Sequence, residues 1–132
     1  MSKLKTKHEN ATKALHALKQ MLTRDHNDEA VRDSIIKRFE FTVELSWKLY
    51  KVFFEISSHK INFPKDVFRE MLEYKILSSQ EIEQALNMID ARNTTAHEYS
   101  ESKATNLVEE IPQYIPILDK MLNYKGLLES IQ

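Results

Sequence analysis

The chain has 132 residues, 42% hydrophobic and 30% charged, with a formal net charge of −1, which suits one compact domain and speaks against a broad electrostatic footprint on duplex DNA. One glycine and three prolines supply too few turn residues for a β-rich fold. The absence of cysteine removes disulfides, thiolate nucleophiles and Cys-ligated zinc.

Lys3, Lys5 and Lys7 lead into no apolar core, so the start of the chain does not read as a signal peptide. No stretch approaches the ~20 apolar residues of a membrane span. The expectation is a soluble, cytoplasmic protein. Leu4, His8, Ala11, Leu15, Leu18 and Leu22 alternate spacings of three and four and predict a first helix over that span. Arg24 to Asp28 is polar and turns the chain, with Asn27 or Asp28 capping the next helix. The second helix, Glu29 to Ile56, would be roughly 40 Å long. Val31, Ile35, Phe39, Val43, Ser46, Tyr50 and Phe53 form one stripe on it. Ile36, Leu45, Leu49, Val52 and Ile56 add apolar surface elsewhere, so this helix is packed on several sides, as a central element or one that also faces a partner subunit.

The segment Ser57 to Asn62 breaks the pattern. Pro64 suits the first turn of a short third helix, carried by Val67, Phe68, Met71 and Leu72 to about Tyr74. Ser78 and Glu81 have the spacing of a capping box, and a fourth helix comes next with Ile82, Ala85, Leu86 and Ile89 inward. The last helical stretch, about Ser102 to Tyr124, contains Pro112 and Pro116, which predict a kink or break near Glu110–Pro112. Gly126 is placed to end it. The fold class is all-α: an antiparallel four- to five-helix up-and-down bundle, one domain over 1–132.

The chemistry concentrates in Arg92-Asn93-Thr94-Thr95-Ala96-His97-Glu98-Tyr99-Ser100-Glu101. The fourth helix's stripe continues in register to Asn93 and Ala96, which sets polar Arg92 and Asn93 at or beside a core-facing line where their donors need partners. β-Branched Thr94 and Thr95 weaken a helix, so it is expected to fray or end here and leave His97 and Tyr99 on a turn. Arg92 and His97 are five positions apart, about 140° round an ideal helix. They converge only if a helix end intervenes or if two copies meet across a dimer axis. An imidazole can take a proton from a ribose 2′-OH near neutral pH. A guanidinium can hold a phosphate through two hydrogen bonds and stabilise charge at phosphorus. Together they suit metal-free RNA cleavage, with Asn93, Thr94 and Thr95 orienting them. The plainer alternative is that Arg92 pairs with Asp90 or Glu98 and His97 caps a helix end.

On the second helix Glu40, Glu44, Trp47 and Lys51 fall within about 60° of one another, flanked by Arg38 and Lys48. A tryptophan among charges can stack a base, anchor a partner, or lie packed under a neighbouring helix beneath charged stems. His8, His16, His26, His59 and His97 are scattered without ligand spacing. No metal site and no cofactor are expected. His8, on the first stripe, reads as a packed or helix-end histidine.

The decapeptide resembles the signature of the HEPN superfamily in its nucleotidyltransferase substrate-binding (HepT-like) branch, R-x4-H-x-Y, with Arg92, His97 and Tyr99 at those places. Arg38-Phe39-Glu40-Phe41-Thr42-Val43-Glu44-Leu45-Ser46-Trp47-Lys48 resembles the same branch's long second helix, and Phe68-Arg69-Glu70-Met71 also fits. The resemblance covers about residues 10–125. Thr94, where an apolar residue is common, and charged Glu98 are the departures. The resemblance implies a helical bundle that forms a homodimer and a separate partner, a minimal nucleotidyltransferase. It implies either a ribonuclease toxin, with Arg92 and His97 catalytic and Tyr99 silenced by adenylylation, or a non-catalytic subunit presenting substrate to that nucleotidyltransferase. RNA or a nucleotide would be the ligand, and Asn93, Thr95, Glu40, Glu44, Trp47 and Lys48 the supporting residues. A structural adaptor without ligand is a third, weaker reading.

Overall fold

The structure is a computed structural model that describes residues 2–57, 60–97 and 100–132, with backbone only for Ser2, Ser57, Ala96 and His97. Helices α1 (Ser2–Leu22) and α2 (Glu29–Ser57) are joined by a short polar loop and pack along each other, as an antiparallel hairpin does. Helices α3 (Pro64–Glu73), α4 (Ser79–His97), α5 (Glu101–Glu110), α6 (Ile115–Leu122) and α7 (Lys125–Ser130) complete the chain, with a 3-10 turn at Ile111–Tyr114 between α5 and α6. No strand occurs among the described residues. None of their helices is long and apolar enough to cross a membrane.

Local chemistry explains most boundaries. Asp28 caps α2 by accepting the Ala30 amide at 2.9 Å. The Ser78–Glu81 capping box forms in both directions: the Ser78 amide donates to Glu81 at 2.8 Å and the Glu81 amide to the Ser78 hydroxyl at 3.2 Å. Ser100 caps α5 by accepting the Lys103 amide at 3.3 Å. The break expected at the prolines is the 3-10 turn itself, with Pro112 in its first turn and Pro116 in the first turn of α6. His8 is a helix-end histidine, its Nε2 donating to the Leu122 carbonyl at 2.8 Å.

Three expectations are corrected. Gly126 does not end the last long helix. α6 stops at Leu122 with Asn123 as its cap, and Gly126 lies inside α7. A Cβ there would come within 2.6 Å of the Tyr124 ring, so the residue makes room for an aromatic. Leu72 is 45% exposed and leaves the α3 face to Val67, Phe68 and Met71. On α2, Ile56 is exposed as well.

A left-handed helix cap falls on a lysine. Lys75 has φ 58°. Its amide bonds Leu72 O at 3.1 Å while the Ile76 amide bonds Met71 O at 2.9 Å, with Met71 and Ile76 both buried. That is a Schellman motif in which a side chain occupies the position glycine favours. Lys75→Gly is expected to raise stability by about 0.5–1 kcal/mol, the relief of left-handed strain less glycine's extra unfolded-state entropy. The midpoint of urea unfolding measures it.

α2 is the central element, packed against α1, α3, α4, α5 and α6. Its stripe supplies Ile35, Phe39, Val43 and Tyr50 to one contiguous core with Leu4, Leu18, Phe68, Met88, Ile111 and Leu118. Phe39 stacks on Tyr114 with centroids 6.0 Å apart, which ties α2 to the 3-10 turn. The Tyr50 hydroxyl donates to Met121 O at 2.5 Å, which ties α2 to α6. Burial raises the Tyr50 pKa, so this hydroxyl stays a donor. Ser46, on the same stripe, is fully buried with no partner for its hydroxyl among the described residues, a cost of about 1–3 kcal/mol.

Candidate functional site

The α2 core stripe turns Phe39 and Val43 inward. The next residues in sequence, Glu40 and Glu44, therefore stand one turn apart on a neighbouring face, which α4 borders. α4 brings Arg92 and Thr95 to that face. The Arg92 Nη2 forms an ion pair with Glu44 Oε2, and Nη1 donates to Asn93 Oδ1 at 2.9 Å. Glu44 also accepts from the Trp47 indole N–H at 3.1 Å and pairs with Lys48 at 2.9 Å. The Thr95 hydroxyl is shared between the Glu40 carboxylate and the Arg92 carbonyl, the latter at 2.7 Å. Among the described residues the counter-ion of Arg92 is Glu44 and not Asp90, while Glu98 lies outside them. Glu44 is 48 residues away, and Asp90 instead faces Lys65 at 3.8 Å.

The two groups of residues read from the sequence as separate candidates are one polar cluster. Arg92, Asn93 and Thr95 from α4 meet Glu40, Glu44, Trp47 and Lys48 from α2. Trp47 is half-buried against the core, and its N–H is spent on Glu44. Arg92 is 31% exposed, enough for its guanidinium to reach a ligand. Partial burial pushes the Glu44 pKa up, but the hydrogen bonds from Lys48 and Trp47 and the charges of Arg92 and Lys48 outweigh that. The carboxyl is held below its ordinary value. At neutral pH it is ionised, and it fixes the guanidinium through a charge-assisted bond.

The threonines do not end α4, which continues to His97. Thr94 returns its hydroxyl to Asp90 O at 2.9 Å, and Thr95 bonds Arg92 O and Glu40. Both β-branched residues are satisfied inside the helix. Arg92 and His97 therefore belong to one continuous helix, with no helix end between them. The side chain of His97, and Glu98 and Tyr99 altogether, lie outside the described residues, so the expectation of a turn carrying Tyr99 does too.

Beside the cluster, α2, α4 and α5 enclose a cleft of about 240 Å³ lined by Ile36, Ala91, Thr95, Ala104, Asn106 and Leu107, among others. Sequence reasoning missed it. Its traces were the alanines at 91 and 104, small residues on facing helices, but only the packing of α5 on α2 shows that they face one space. Among the described residues no group of three His, Asp or Glu side chains is placed to hold a metal ion.

Comparison with known proteins bears on the same span. A family model described as nucleotidyltransferase substrate binding protein like matches residues 6–125. A crystal structure of a protein from Thermus thermophilus is similar to this fold, with TM-score 0.78 and 32% identity over 85% of this chain and 95% of that one. No curated protein matches the sequence.

Proposed function

The chain belongs to the nucleotidyltransferase substrate-binding-protein-like family, and from that premise we propose that it is a HEPN-type subunit of a toxin–antitoxin pair. It works in the cytoplasm as a homodimer with a minimal nucleotidyltransferase as partner, and carries a metal-independent endoribonuclease site at Arg92 and His97. The observation that supports this most is the Arg92–Glu44 pair. In it, a guanidinium of the R-x4-H-x-Y motif is oriented by a distant carboxylate yet still partly open to solvent. Such preorganisation is what phosphate stabilisation requires.

In the reaction, the His97 imidazole takes the ribose 2′-OH proton. The 2′ oxygen attacks the adjacent phosphorus, and the 5′ oxygen leaves and is protonated. A 2′,3′-cyclic phosphate and a free 5′-OH result. Arg92 neutralises charge on the non-bridging oxygens. Residues five positions apart on an ideal helix stand about 140° round its axis, so in this reading Arg92 of one copy works with His97 of the other. The dimer is thus part of the site. In adenylylation the Tyr99 hydroxyl attacks the α-phosphorus of ATP, pyrophosphate leaves, and the bulk and negative charge added two residues from His97 exclude an RNA phosphate.

The second reading, a substrate-presenting subunit without catalysis, is favoured by the two carboxylates beside the motif. Glu40 and Glu44 reduce the net positive charge that Arg92 and Lys48 offer a phosphate. Co-expression with the partner and ATP is expected to increase the intact mass by one adenylyl group, and Tyr99→Phe to abolish the gain. An unmodified mass, or a gain that survives Tyr99→Phe, defeats the regulatory half of the reading.

A further inference from the structure

The cleft beside Thr95 has no role in the chemistry above. Its apolar lining is Ile36 from α2, Ala91 from α4, and Ala104 and Leu107 from α5; Thr94, Thr95, Lys103, Asn106 and Glu110 make up the rest. Ile36 and Ala104 are buried, so the surface is a rigid part of the bundle. Two of its lining residues, Ala91 and Ala104, are small and leave room in it. At about 240 Å³ it is just under the ~300–1,000 Å³ of pockets that hold whole drug-sized ligands. It has room for a flat ring system, with the remainder of a ligand outside.

The rim reads hydrogen bonds. Asn106 and Glu110 are four apart on α5, so their side chains share one face. The Asn106 amide makes no hydrogen bond among the described residues and offers a donor and an acceptor. Glu110 accepts the Tyr114 hydroxyl on Oε2 at 2.7 Å, which leaves Oε1 for another donor. An amide beside a carboxylate matches the edge of adenine, where N7 accepts and the N6 amino group donates. Thr95 and Ile36 also line a shallower depression with Asp33, Lys37 and Glu40. The groove therefore runs on from the cleft, past Thr95, to Glu40, whose carboxylate accepts the Thr95 hydroxyl, and Thr95 in turn bonds the Arg92 carbonyl.

We propose that this cleft is a base-binding subsite for adenine, formed by Ile36, Ala91, Ala104 and Leu107 against the ring faces and by Asn106 and Glu110 at its amino edge. The attached sugar and phosphate lie over Thr95 in the direction of Arg92. The proposal deepens the nucleotide- or RNA-binding part of the reading above and rests on it for the phosphate alone; the base is held by groups that reading does not use.

The test separates the two. Full-length protein with methyl-labelled Ala, Ile and Leu is titrated with adenosine, inosine, uridine and ribose 5-phosphate and monitored by NMR. Adenosine is expected to shift the methyl signals of Ile36, Ala91, Ala104 and Leu107. Inosine, which lacks the amino group, and uridine are expected to bind roughly tenfold more weakly, the scale of losing one paired edge. Exposed Asn106→Ala should erase the preference for adenosine over inosine. Ala91→Leu should fill the cleft and abolish the adenosine shifts while the rest of the methyl spectrum stays folded. Adenosine that shifts none of these methyls at millimolar concentration overturns the proposal, as do equal shifts with all three nucleosides. If ribose 5-phosphate perturbs the surroundings of Arg92 while adenosine does nothing, the base subsite is wrong and the phosphate reading survives. Adenosine shifts that persist in a His97→Ala protein support the subsite whether or not the wild type cuts RNA.

Discussion

Arg92→Ala is expected to lower cleavage of a labelled single-stranded RNA by about 10²–10³-fold, the usual loss when one preorganised donor to a developing oxyanion is removed. His97→Ala is expected to cost about 10²–10⁴-fold, the range for a general acid–base group. Both assays use the full-length protein alone. Neither variant should unfold. The Arg92–Glu44 pair joins side chains 31% and 27% exposed, and such partly solvated pairs contribute about 1 kcal/mol or less. Glu44 also keeps Lys48 and Trp47 when Arg92 is removed. Arg92→Lys should recover little, because an ammonium cannot present the two parallel donors of a guanidinium. Wild-type protein that leaves the RNA intact ends the nuclease reading in favour of the substrate-presenting subunit. Equal cleavage by wild type and both variants would instead assign the activity to a contaminant or another site.

Phe39→Ala is expected to lose about 3–5 kcal/mol of unfolding free energy, the cost of emptying an aromatic site in a packed core. Phe39 is fully buried at the middle of α2 and stacks on Tyr114 of the 3-10 turn. Removing it loosens the seat of the α5–α6 arm, whose first half walls the cleft. It also precedes Glu40 on the same helix, so a shift of α2 moves the carboxylates that hold Thr95 and Arg92. Urea unfolding measures the loss. A drop below about 1 kcal/mol would mean that the site collapses without a cavity, contrary to the packing described.

Much of the fold was legible because it is written in short-range chemistry. The three-and-four spacing of Leu4 to Leu22, the Asp28 cap, the Ser78–Glu81 box and the proline break each depend on residues within a few positions of one another. The expectations that failed needed information from farther away. Gly126 read as a helix stop by its type, yet the ring of Tyr124 decides its use. Thr94 and Thr95 read as a helix end by propensity, yet hydrogen bonds to Asp90, Arg92 and Glu40 keep α4 intact through them.

The same division runs through the candidate site. The sequence by itself determined which groups are present: a guanidinium, an imidazole and a phenol in R-x4-H-x-Y order, and a second helix with Glu40, Glu44, Trp47 and Lys48 on adjoining faces. The tertiary structure alone decided that Arg92 takes Glu44 as its counter-ion, that Thr95 is tied to Glu40, and that Ala91 and Ala104 leave a space between them. The physical reason is that periodicity fixes where a side chain lies around its own helix axis. The rotation and height at which two helices meet depend on how the whole core packs, and no local spacing encodes a contact made across 48 residues.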